Sequence, residues 1–295
     1  MTDPSRRRPP DRVVTSPGER RTAVLDVIRQ ARTRIGLSLF RCNDKEIFAE
    51  LQRAVARGVA VEVLVTSRAK GGKKKLKKLW SALEATGATI HTYTDSVVKY
   101  HAKYLVADEG PALVSSLNFT RKCFNKTCDA ILVTYDPDVV TGLGDLMAAD
   151  RDGRPVPDTV PPRLIIGPER ARRQITALVE QARSSIRLID AKLTDPGLVS
   201  LLNARRAAGV TVDVYGAKRY ADLRSHGKIM MIDGRTAVVG SLALAALSLD
   251  FRREVAVIVE DPAAVAEVAE LFRFVATAAA REASVAASAA GGTAC

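Results

Sequence analysis

Two stretches of the chain repeat the same pattern of apolar and polar positions and predict the same four elements. In the first stretch these are a helix over 19–33, a strand over Ile35–Phe40, a helix over 44–57 and a strand over Val59–Val65. In the second stretch they are a helix over 168–183, a strand over Ile186–Ile189, a helix over 195–207 and a strand over Val210–Val214. Because strands alternate with helices, the pattern predicts parallel pairing within an α/β fold.

The two stretches also match residue by residue. Residues 31–37 (ARTRIGL) align with 182–188 (ARSSIRL), and Gly58 aligns with Gly209, so every pair is 151 positions apart. Each glycine ends a predicted helix, where its conformational freedom is useful. A constant shift over nearly thirty residues is hard to obtain by chance and indicates an internal duplication.

The duplication predicts the domain organisation. We expect two pseudo-symmetric α/β lobes, each a mixed sheet flanked by helices, that pack as one unit. The predicted segments are a disordered basic arm at 1–18, an N-terminal lobe at 19–150, a proline-rich linker at 151–162, a C-terminal lobe at 163–285 and a flexible tail at 286–295.

A second correspondence in each copy involves residues that can perform chemistry. The first copy contains His101, Lys103, Asp108, Ser116 and Asp129. The second copy contains, at the same spacings, His226, Lys228, Asp233, Ser241 and Glu254. The chain has 3 histidines, and two of them occupy these equivalent positions. The third, His91, lies in a predicted strand outside the motifs and is interpreted as structural.

The spacing within each motif predicts which side chains act together. Alternate residues of a strand share a face, so His101 and Lys103 point the same way, whereas Asp108 has the opposite parity. The same holds in the second copy. We therefore expect the two aspartates to hold a strand end or orient a loop, and the two His-Lys pairs to meet around one pocket.

Such a pocket suits a phosphodiester. Two ammonium groups offset the charge of the diester and of its transition state, and Ser116 and Asn118 can add neutral donors. An imidazole can serve as nucleophile or general acid near neutral pH.

On these residues the sequence resembles the phospholipase D superfamily, whose signature is H-x-K-x4-D with a downstream G-S-x-N and a later acid. The resemblance covers about residues 20–260 and carries both motifs. It implies a covalent phosphohistidine mechanism without metal or cofactor, in which one histidine attacks and the other protonates the leaving oxygen. It implies a catalytic set of His101, Lys103, Asp108, His226, Lys228 and Asp233, supported by Ser116, Asn118, Asp129, Ser241 and Glu254.

The resemblance also suggests individual roles. Asp129 and Glu254 match the family acids that accept a hydrogen bond from the imidazoles and fix their tautomers. Following the commoner family pattern, we assign His101 as nucleophile and His226 as general acid.

Two positions depart from the family pattern. Ala243 stands where the second asparagine belongs, and Ser115 replaces the usual glycine of the first half. Either the second half lacks one phosphate donor, so that the first half binds the phosphate more closely, or a backbone amide or water replaces it. We expect Ser115 to tighten its loop.

Charge adds information about the partner. The chain has 45 Lys and Arg against 33 Asp and Glu, a net charge of +12, which favours an anionic partner or reflects a generally basic surface. The segment from Lys70 to Lys78, within an insertion of the first lobe, contains many lysines and is followed by Trp80. It could contact anionic lipid or nucleic-acid phosphates, or form a solvated helix face with a packed tryptophan.

The remaining features favour a cytoplasmic protein, acting there or at the inner membrane face. The N-terminus lacks the apolar segment of a secretory signal, and no apolar run is long enough to span a membrane. The cysteines are interpreted as reduced thiols, without a disulfide framework or zinc site; they are Cys42, Cys123, Cys128 and Cys295.

Three functions remain open from the sequence. The first is hydrolysis or transfer of a phosphatidyl group, with a phospholipid or an anionic membrane surface as partner. The second is a metal-independent endonuclease of the same superfamily, with nucleic acid as partner. The third is a non-catalytic phosphate-binding scaffold, which only Ala243 supports. No obligate protein partner is expected, because both halves of the site lie in one chain.

Overall fold

Each predicted copy folds as a mixed sheet with helices packed against it, which confirms the predicted α/β class. The structure is a computed structural model that describes residues 9–67 and 73–291. The helices are α1 (Pro17–Gln30), α2 (Lys45–Ala56), α3 (Lys73–Glu84), α4 (Arg121–Lys126), α5 (Pro137–Asp152), α6 (Ala171–Gln181), α7 (Pro196–Ala207), α8 (Ala246–Asp250) and α9 (Pro262–Gly291).

The strands are short, and most lie in two large sheets. They are β1 (Arg12–Val14), β2 (Arg34–Leu39), β3 (Ala60–Thr66), β4 (Thr89–Tyr93), β5 (Lys99–Tyr100), β6 (Tyr104–Ala107), β7 (Ala112–Ser115), β8 (Thr127–Cys128), β9 (Ile131–Thr134), β10 (Leu164–Gly167), β11 (Ser185–Asp190), β12 (Thr211–Tyr215), β13 (Arg219–Tyr220), β14 (Leu223–Ser225), β15 (Lys228–Ile232), β16 (Thr236–Gly240) and β17 (Arg252–Val259).

The two large sheets have matching topologies. The first has the order β1-β9-β7-β6-β2-β3-β4, and the second has the order β10-β17-β16-β15-β11-β12. The duplicated strands pair in parallel, β2 with β3 and β11 with β12, as predicted. The strands that follow each histidine pair antiparallel with their neighbours, β6 with β2 and β15 with β11. Each motif strand is therefore central in its sheet and firmly held.

The two sheets pack against each other through a shared core. One hydrophobic cluster joins buried residues of both sheets, including Leu132 and Val114 from the first and Val239 and Val257 from the second. Separate clusters fill the space beneath α1 and α2 and beneath α6 and α7. Because apolar burial at the shared cluster stabilises the pair of lobes as one unit, the two motifs are held at a fixed relative position.

The N-terminal boundary differs from the prediction. Residues 12–14, expected within a disordered arm, form β1 and pair antiparallel with β9. Val13 and Val14 are buried at this edge of the first sheet, and that apolar burial explains why the segment is ordered. Helix α1 then begins at Pro17. Residues 1–8 lie outside the described part of the chain.

Two further boundaries shift. Helix α5 continues through the start of the predicted linker to Asp152 and ends at Gly153, whose left-handed conformation (φ 66°) closes the helix. Helix α9 continues to Gly291, so most of the predicted tail is helical. Residues 292–295, including Cys295, lie outside the described residues. Among the helices of residues 9–67 and 73–291, none combines the length and apolarity needed to cross a bilayer.

The basic segment and the remaining cysteines can be located in part. Arg68 and Lys70 lie outside the described residues, whereas α3 carries exposed lysines at 74, 75, 77 and 78. Trp80 on α3 is half-buried against the core of the first lobe, which favours a packed tryptophan. Three cysteines, Cys42, Cys123 and Cys128, are free and buried.

Candidate active site

The two motif histidines line one cleft between the lobes. The cleft has a volume of about 510 Å³. Its other lining residues are Phe40, Arg41, Thr66, Ser67, Tyr93, Asp95, Val98, Lys99, Tyr100, Asn118, Lys192 and Arg252. His91 lies elsewhere, in β4, with its ring nitrogen 3.9 Å from Glu62. The structure thus brings His101 and His226, but not the third histidine, to a shared cavity.

Crossed strand pairs between the lobes set the positions of the histidines. The short strand β5, just before His101, pairs in parallel with the start of β17 in the other half. In the same way β14, just before His226, pairs in parallel with β8 of the first half. The backbone NH of His101 donates to the carbonyl of Arg253 (2.9 Å), and that of Gly227 donates to the carbonyl of Cys128 (2.8 Å). Each histidine is therefore anchored to the opposite half.

The crossing also pairs each histidine with the acid of the opposite half. His101 Nδ1 lies 2.9 Å from Glu254 Oε2, and His226 Nδ1 lies 3.0 Å from Asp129 Oδ2. A carboxylate that accepts a hydrogen bond from Nδ1–H fixes the tautomer in which Nε2 is free to react. Sequence reasoning identified the two acids as imidazole partners but did not predict that the pairs cross between the lobes.

Both carboxylates are themselves held by hydroxyl groups. Ser116 Oγ donates to Asp129 Oδ1 (2.6 Å), and Ser248 Oγ donates to Glu254 Oε1 (2.9 Å). Ser116 is fully buried, so it supports the acid and does not donate to a phosphate in the cleft as the sequence analysis suggested. The hydroxyl of Ser241 bonds the backbone of Val255. Ser241 is therefore also a supporting residue.

Ser248 is a residue that sequence reasoning missed. Its counterpart in the first half, at the same offset as the two motifs, is Cys123, so the repeat gave no signal for it. Ser248 Oγ also accepts a hydrogen bond from the backbone NH of Ala243 (3.0 Å). The amide of Ala243 is thus used inside the loop, and it does not replace the missing asparagine in the cleft.

Arg20 is a second missed residue. It is fully buried, and its guanidinium donates to the carbonyls of Thr15 and Thr127 at 2.5 and 2.7 Å. Burial lowers the pKa of Arg20, and the nearby carboxylate of Asp129 opposes that effect. The arginine thus ties the segment that leads into Asp129 to helix α1. In the sequence it is one of many arginines within an amphipathic helix, which gave no signal of burial.

Asn118 and Ser115 lie in one loop of the first half, and only Asn118 lines the cleft. Asn118 lines the cleft and is buried, and its Oδ1 has no hydrogen-bond partner among the described residues. Ser115 Oγ accepts from the NH of Leu117 (3.1 Å) and donates to the carbonyl of Leu117 (3.0 Å). This tightens the loop that carries Asn118, as expected for the replacement of glycine by serine.

Both motif lysines are buried beside their own histidines. Lys103 Nζ donates to the carbonyl of His101 (2.5 Å), and Lys228 Nζ donates to that of His226 (3.0 Å). Burial lowers the pKa of Lys103 to about 7, with Glu254 opposing and Lys228 adding to the effect. The two ammonium groups repel each other in the absence of an anion, and a bound phosphate would relieve that repulsion.

The two histidines differ in their surroundings. The side chain of His101 is 14% exposed and that of His226 is 32% exposed. The ring of Phe40 packs against His101 with centroids 4.5 Å apart, whereas the corresponding residue of the other half is Ala191. Burial lowers the pKa of His101 to about 3, although Glu254 opposes it. His101 is therefore neutral over the physiological range.

Both acids are ionised although they are buried. Burial raises the pKa of Asp129, but the His226 ring, together with Lys228 and Arg20, outweighs burial and holds that pKa below its ordinary value. In the same way His101 and Lys103 outweigh burial and lower the pKa of Glu254. Each imidazole thus has an ionised carboxylate at its Nδ1, and the cations that line the cleft are Arg41, Lys99, Lys192 and Arg252.

The two motif aspartates lie outside this group, although the family signature placed them in the catalytic set. Asp108 accepts hydrogen bonds from the backbone NH groups of Arg32, Thr33 and Arg34 at the start of β2. Asp233 accepts the equivalent bonds from residues 183–185 at the start of β11. Each is seven residues beyond its histidine, at the far end of the motif strand, roughly 20 Å along the chain. Their contacts are those of strand-end residues.

Replacing Asp108 by alanine is expected to destabilise the fold and leave the chemistry of the folded protein intact. Three backbone donors would lose a charged acceptor, which we expect to lower the free energy of unfolding by about 2–4 kcal/mol. Thermal or urea unfolding measures this, with the neighbouring exposed Glu109→Ala as the control. A loss of turnover in fully folded Asp108→Ala protein would return the aspartate to the catalytic set.

The same contacts predict the pH range in which Asp108 stabilises the fold. Partial burial raises its pKa, but the hydrogen bonds from Arg34, Arg32 and Thr33 outweigh this and lower the pKa to about 2. The contribution of Asp108 to the stability of the fold is therefore complete above the pKa that this carboxyl has in the unfolded chain. It is lost as the pH falls toward 2.

No metal-binding cluster accompanies the two histidines. Within residues 9–67 and 73–291, no group of three His, Cys, Asp or Glu side chains is arranged to hold a metal ion. The chemistry that these residues can perform is nucleophilic attack by an imidazole, proton transfer by a second imidazole and charge stabilisation by two ammonium groups.

Comparison with solved structures supports the fold. Polyphosphate kinase from Porphyromonas gingivalis superposes with a TM-score of 0.71 at 20% identity, covering 88% of this chain and 46% of that one. Phosphatidylserine synthase from Haemophilus influenzae Rd KW20 superposes with a TM-score of 0.71 at 13% identity, covering 90% of this chain and 85% of that one. At these identities the likeness establishes the fold alone.

Comparison of sequences identifies the family. Cardiolipin synthase A from Pseudomonas entomophila (strain L48) is 27% identical over 129 residues, which is 43% of this chain and 27% of the relative. The chain therefore matches about a quarter of the length of that relative. The family model described as "Cardiolipin synthase, PLD-like domain" matches residues 24–150 and 175–275, which include both His-Lys pairs. The chain belongs to this PLD-like domain family of the phospholipase D superfamily.

Proposed function

We propose that the chain is a phospholipase D-type enzyme that hydrolyses or transfers the phosphatidyl group of a phospholipid. The observation that carries the proposal is the convergence of His101 and His226 on one cleft, each bonded to the acid of the opposite half. Two reactive imidazoles with a buried lysine beside each suit the two-step displacement at a phosphodiester.

In the first step His101 Nε2 attacks phosphorus, and the bond from phosphorus to the leaving oxygen breaks. The His226 imidazolium gives its proton to that oxygen, so the alcohol departs neutral. In the second step His226, now neutral, takes a proton from water or an acceptor alcohol, whose oxygen attacks phosphorus and breaks the P–N bond. Both histidines then have their original protonation states, and Lys103 and Lys228 offset the negative charge throughout.

The assignment of His101 as nucleophile has support from the electrostatics. A nucleophilic imidazole must be neutral, and burial beneath Phe40 lowers the pKa of His101 to about 3. Its Nδ1 is held by Glu254, which leaves Nε2 as the attacking atom. The more exposed His226 takes the role of proton donor to the leaving group and proton acceptor from the incoming one.

A phospholipid substrate is supported by the family and by the composition of the cleft wall. The family description and the name of the cardiolipin synthase relative point to phospholipids. The wall combines apolar Phe40 and Val98 with the cations Lys99 and Arg252, which face each other across paired strands. An apolar wall beside cations suits a molecule with both an acyl-bearing part and anionic groups.

A nuclease is the second candidate, because the net charge of +12 and the exposed lysines of α3 would also favour a nucleic acid. One comparison separates the candidates. Phosphatidylcholine, phosphatidylglycerol and plasmid DNA are each incubated with the protein in EDTA, alongside His101→Ala and the matched control His91→Ala. We expect lipid turnover that is lost in His101→Ala and retained in His91→Ala. DNA nicking with that same dependence would instead support the nuclease, and no turnover of any substrate would support a scaffold.

The charge of Lys103 predicts how the proposed activity depends on pH. This charge is present below a pKa of about 7 and is lost above it. For a p-nitrophenyl phosphodiester, whose leaving group needs no proton from His226, kcat/KM is therefore expected to fall as the pH rises through about 7. Because the pKa of His101 is lowered to about 3, no loss from its protonation is expected between pH 5 and 7. In Lys103→Arg the alkaline fall should move upward by more than one pH unit. A profile that is flat to pH 9 in the unmodified protein would contradict this.

A further inference from the structure

Three large apolar side chains are exposed beside the mouth of the cleft. They are Val97 (66% exposed), Leu247 (42%) and Phe251 (49%), and we call them the apolar rim. Leu247 lies in the first turn of the short helix α8, and Phe251 is the residue that ends this helix. The NH of Lys99 donates to the carbonyl of Phe251 (2.9 Å), which places the loop that carries Val97 beside them. Lys99 and the next residue after Phe251, Arg252, both line the cleft.

The pseudo-symmetry shows that the fold does not require this apolar pair. Helix α4 of the first half corresponds to α8, and the exposed and buried positions match except that Asp250 is partly buried where Asn125 is exposed. At the positions of Leu247 and Phe251, however, α4 carries exposed Lys122 and Lys126, and Arg121 beside them is also exposed. We call these three the cationic rim. Helix α4 begins three residues after Asn118, which lines the cleft, so the cationic rim starts close to the cleft.

We propose that this face of the protein docks on the surface of an anionic phospholipid bilayer. The apolar rim enters the boundary between headgroups and acyl chains, and the cationic rim contacts anionic headgroups. Single exposed apolar residues are common on soluble proteins, but three together at the opening of a site mark an interaction surface. This rests on the proposed function in that the lipid would enter the cleft from this surface.

The chemistry favours a bilayer over a nucleic acid as the partner. A phosphate backbone would be bound by the cationic rim and by Lys99 and Arg252, but it offers nothing to an aliphatic Val97 and Leu247. Stacking with bases uses aromatic platforms, and Phe251 is the single aromatic residue of the apolar rim. A bilayer surface matches both rims at once.

Sedimentation with vesicles tests the docking separately from catalysis. The protein is prepared as His101→Ala so that lipid is not consumed, and vesicles of phosphatidylcholine with and without phosphatidylglycerol are compared. We expect binding to the vesicles that contain phosphatidylglycerol. Leu247→Ser/Phe251→Ser should lower the partition coefficient about tenfold. Lys122→Ala/Lys126→Ala should lower it about tenfold as well and remove most of the dependence on phosphatidylglycerol.

The matched control is Phe274→Ser on α9. Phe274 is 42% exposed, as Leu247 is, but it lines a different surface depression with Glu270 and Arg281. It should change the partition coefficient less than twofold, and melting temperatures verify that every variant is folded. Equal binding by the apolar-rim variant and its parent would overturn the proposal. So would failure to bind vesicles together with binding of duplex DNA that is lost in Lys122→Ala/Lys126→Ala.

The outcomes for docking and for the proposed function are distinguishable. Vesicle binding that depends on both rims, with no lipid turnover by the unmodified protein, would refute the function and retain the docking surface. Turnover of a short-chain, water-soluble phospholipid without vesicle binding would refute the docking surface and retain the function.

Discussion

Replacing His101 by alanine is expected to abolish the phospho-enzyme and to lower turnover by about 10⁴-fold or more, as for other covalent nucleophiles. The sharpest substrate is a p-nitrophenyl phosphodiester, whose leaving group departs without needing a proton. With it, His226→Ala should still form the phospho-enzyme, because only the proton donor is missing. His101→Ala should not form it, because the atom that bonds to phosphorus is missing.

The measurement is a quench in alkaline denaturant, which preserves the acid-labile P–N bond, followed by detection of the phosphohistidine adduct by mass spectrometry. His91→Ala serves as the control, since His91 lies outside the cleft and its loss should leave both label and turnover unchanged. Label that persists in His101→Ala and disappears in His226→Ala would reverse the two roles. In that case burial would lower the pKa of His101 without making it the nucleophile.

Replacing Glu254 by glutamine is expected to lower turnover by about 10²–10⁴-fold, through a histidine that lies in the opposite half. The carboxylate holds His101 Nδ1 at 2.9 Å, so its loss would leave the tautomer and orientation of the nucleophile unfixed. With the p-nitrophenyl substrate, Glu254→Gln should therefore slow formation of the phospho-enzyme. Asp129→Asn, which acts on His226, should leave that step nearly unchanged and slow its breakdown.

Double variants make the crossing testable. Glu254→Gln added to His101→Ala should cause little further loss, because the two residues act as a unit. If the acids instead served the histidines of their own halves, Glu254→Gln would be without further effect in His226→Ala and would leave label formation intact. Rapid-quench kinetics on the four single variants and two double variants separate these cases.

The duplicated elements could be predicted from the sequence because their determinants are local. The helix predicted over 44–57 is observed as Lys45–Ala56, and the one over 195–207 as Pro196–Ala207. In both, an aspartate caps the first turn and the apolar positions follow the helical period. The parallel pairing of the strands that follow also agreed, since a helix joins each pair.

The site was predicted in its components but not in its connections. The equal spacings in the two halves are compatible with two arrangements. Each histidine could bond the acid of its own half, or it could bond the acid of the other half. Only the pairing of β5 with β17 and of β14 with β8 decides between them. Strand pairs of two residues between lobes leave no periodic signal in a sequence.

The predictions for Ser116 and for the N-terminal arm were wrong because both depend on tertiary contacts. Ser116 was interpreted as a phosphate donor because its spacing matches the motif, but its full burial turns the hydroxyl toward Asp129. The arm at 1–18 was predicted disordered from its prolines and arginines, and the apolar pair Val13 and Val14 within it was too short to indicate a strand. Both depend on tertiary burial, which a local pattern does not report.

The most direct test of the account is a crystal structure with vanadate in the cleft. We predict one vanadate bonded to Nε2 of His101, with Nε2 of His226 within hydrogen-bond reach, about 3 Å, of the oxygen on the opposite side. Lys103 and Lys228 should contact the equatorial oxygens of the same ion. Vanadate held by the residues of one half alone, with the other imidazole turned out of the cleft, would contradict the convergence of the two halves on one phosphorus atom.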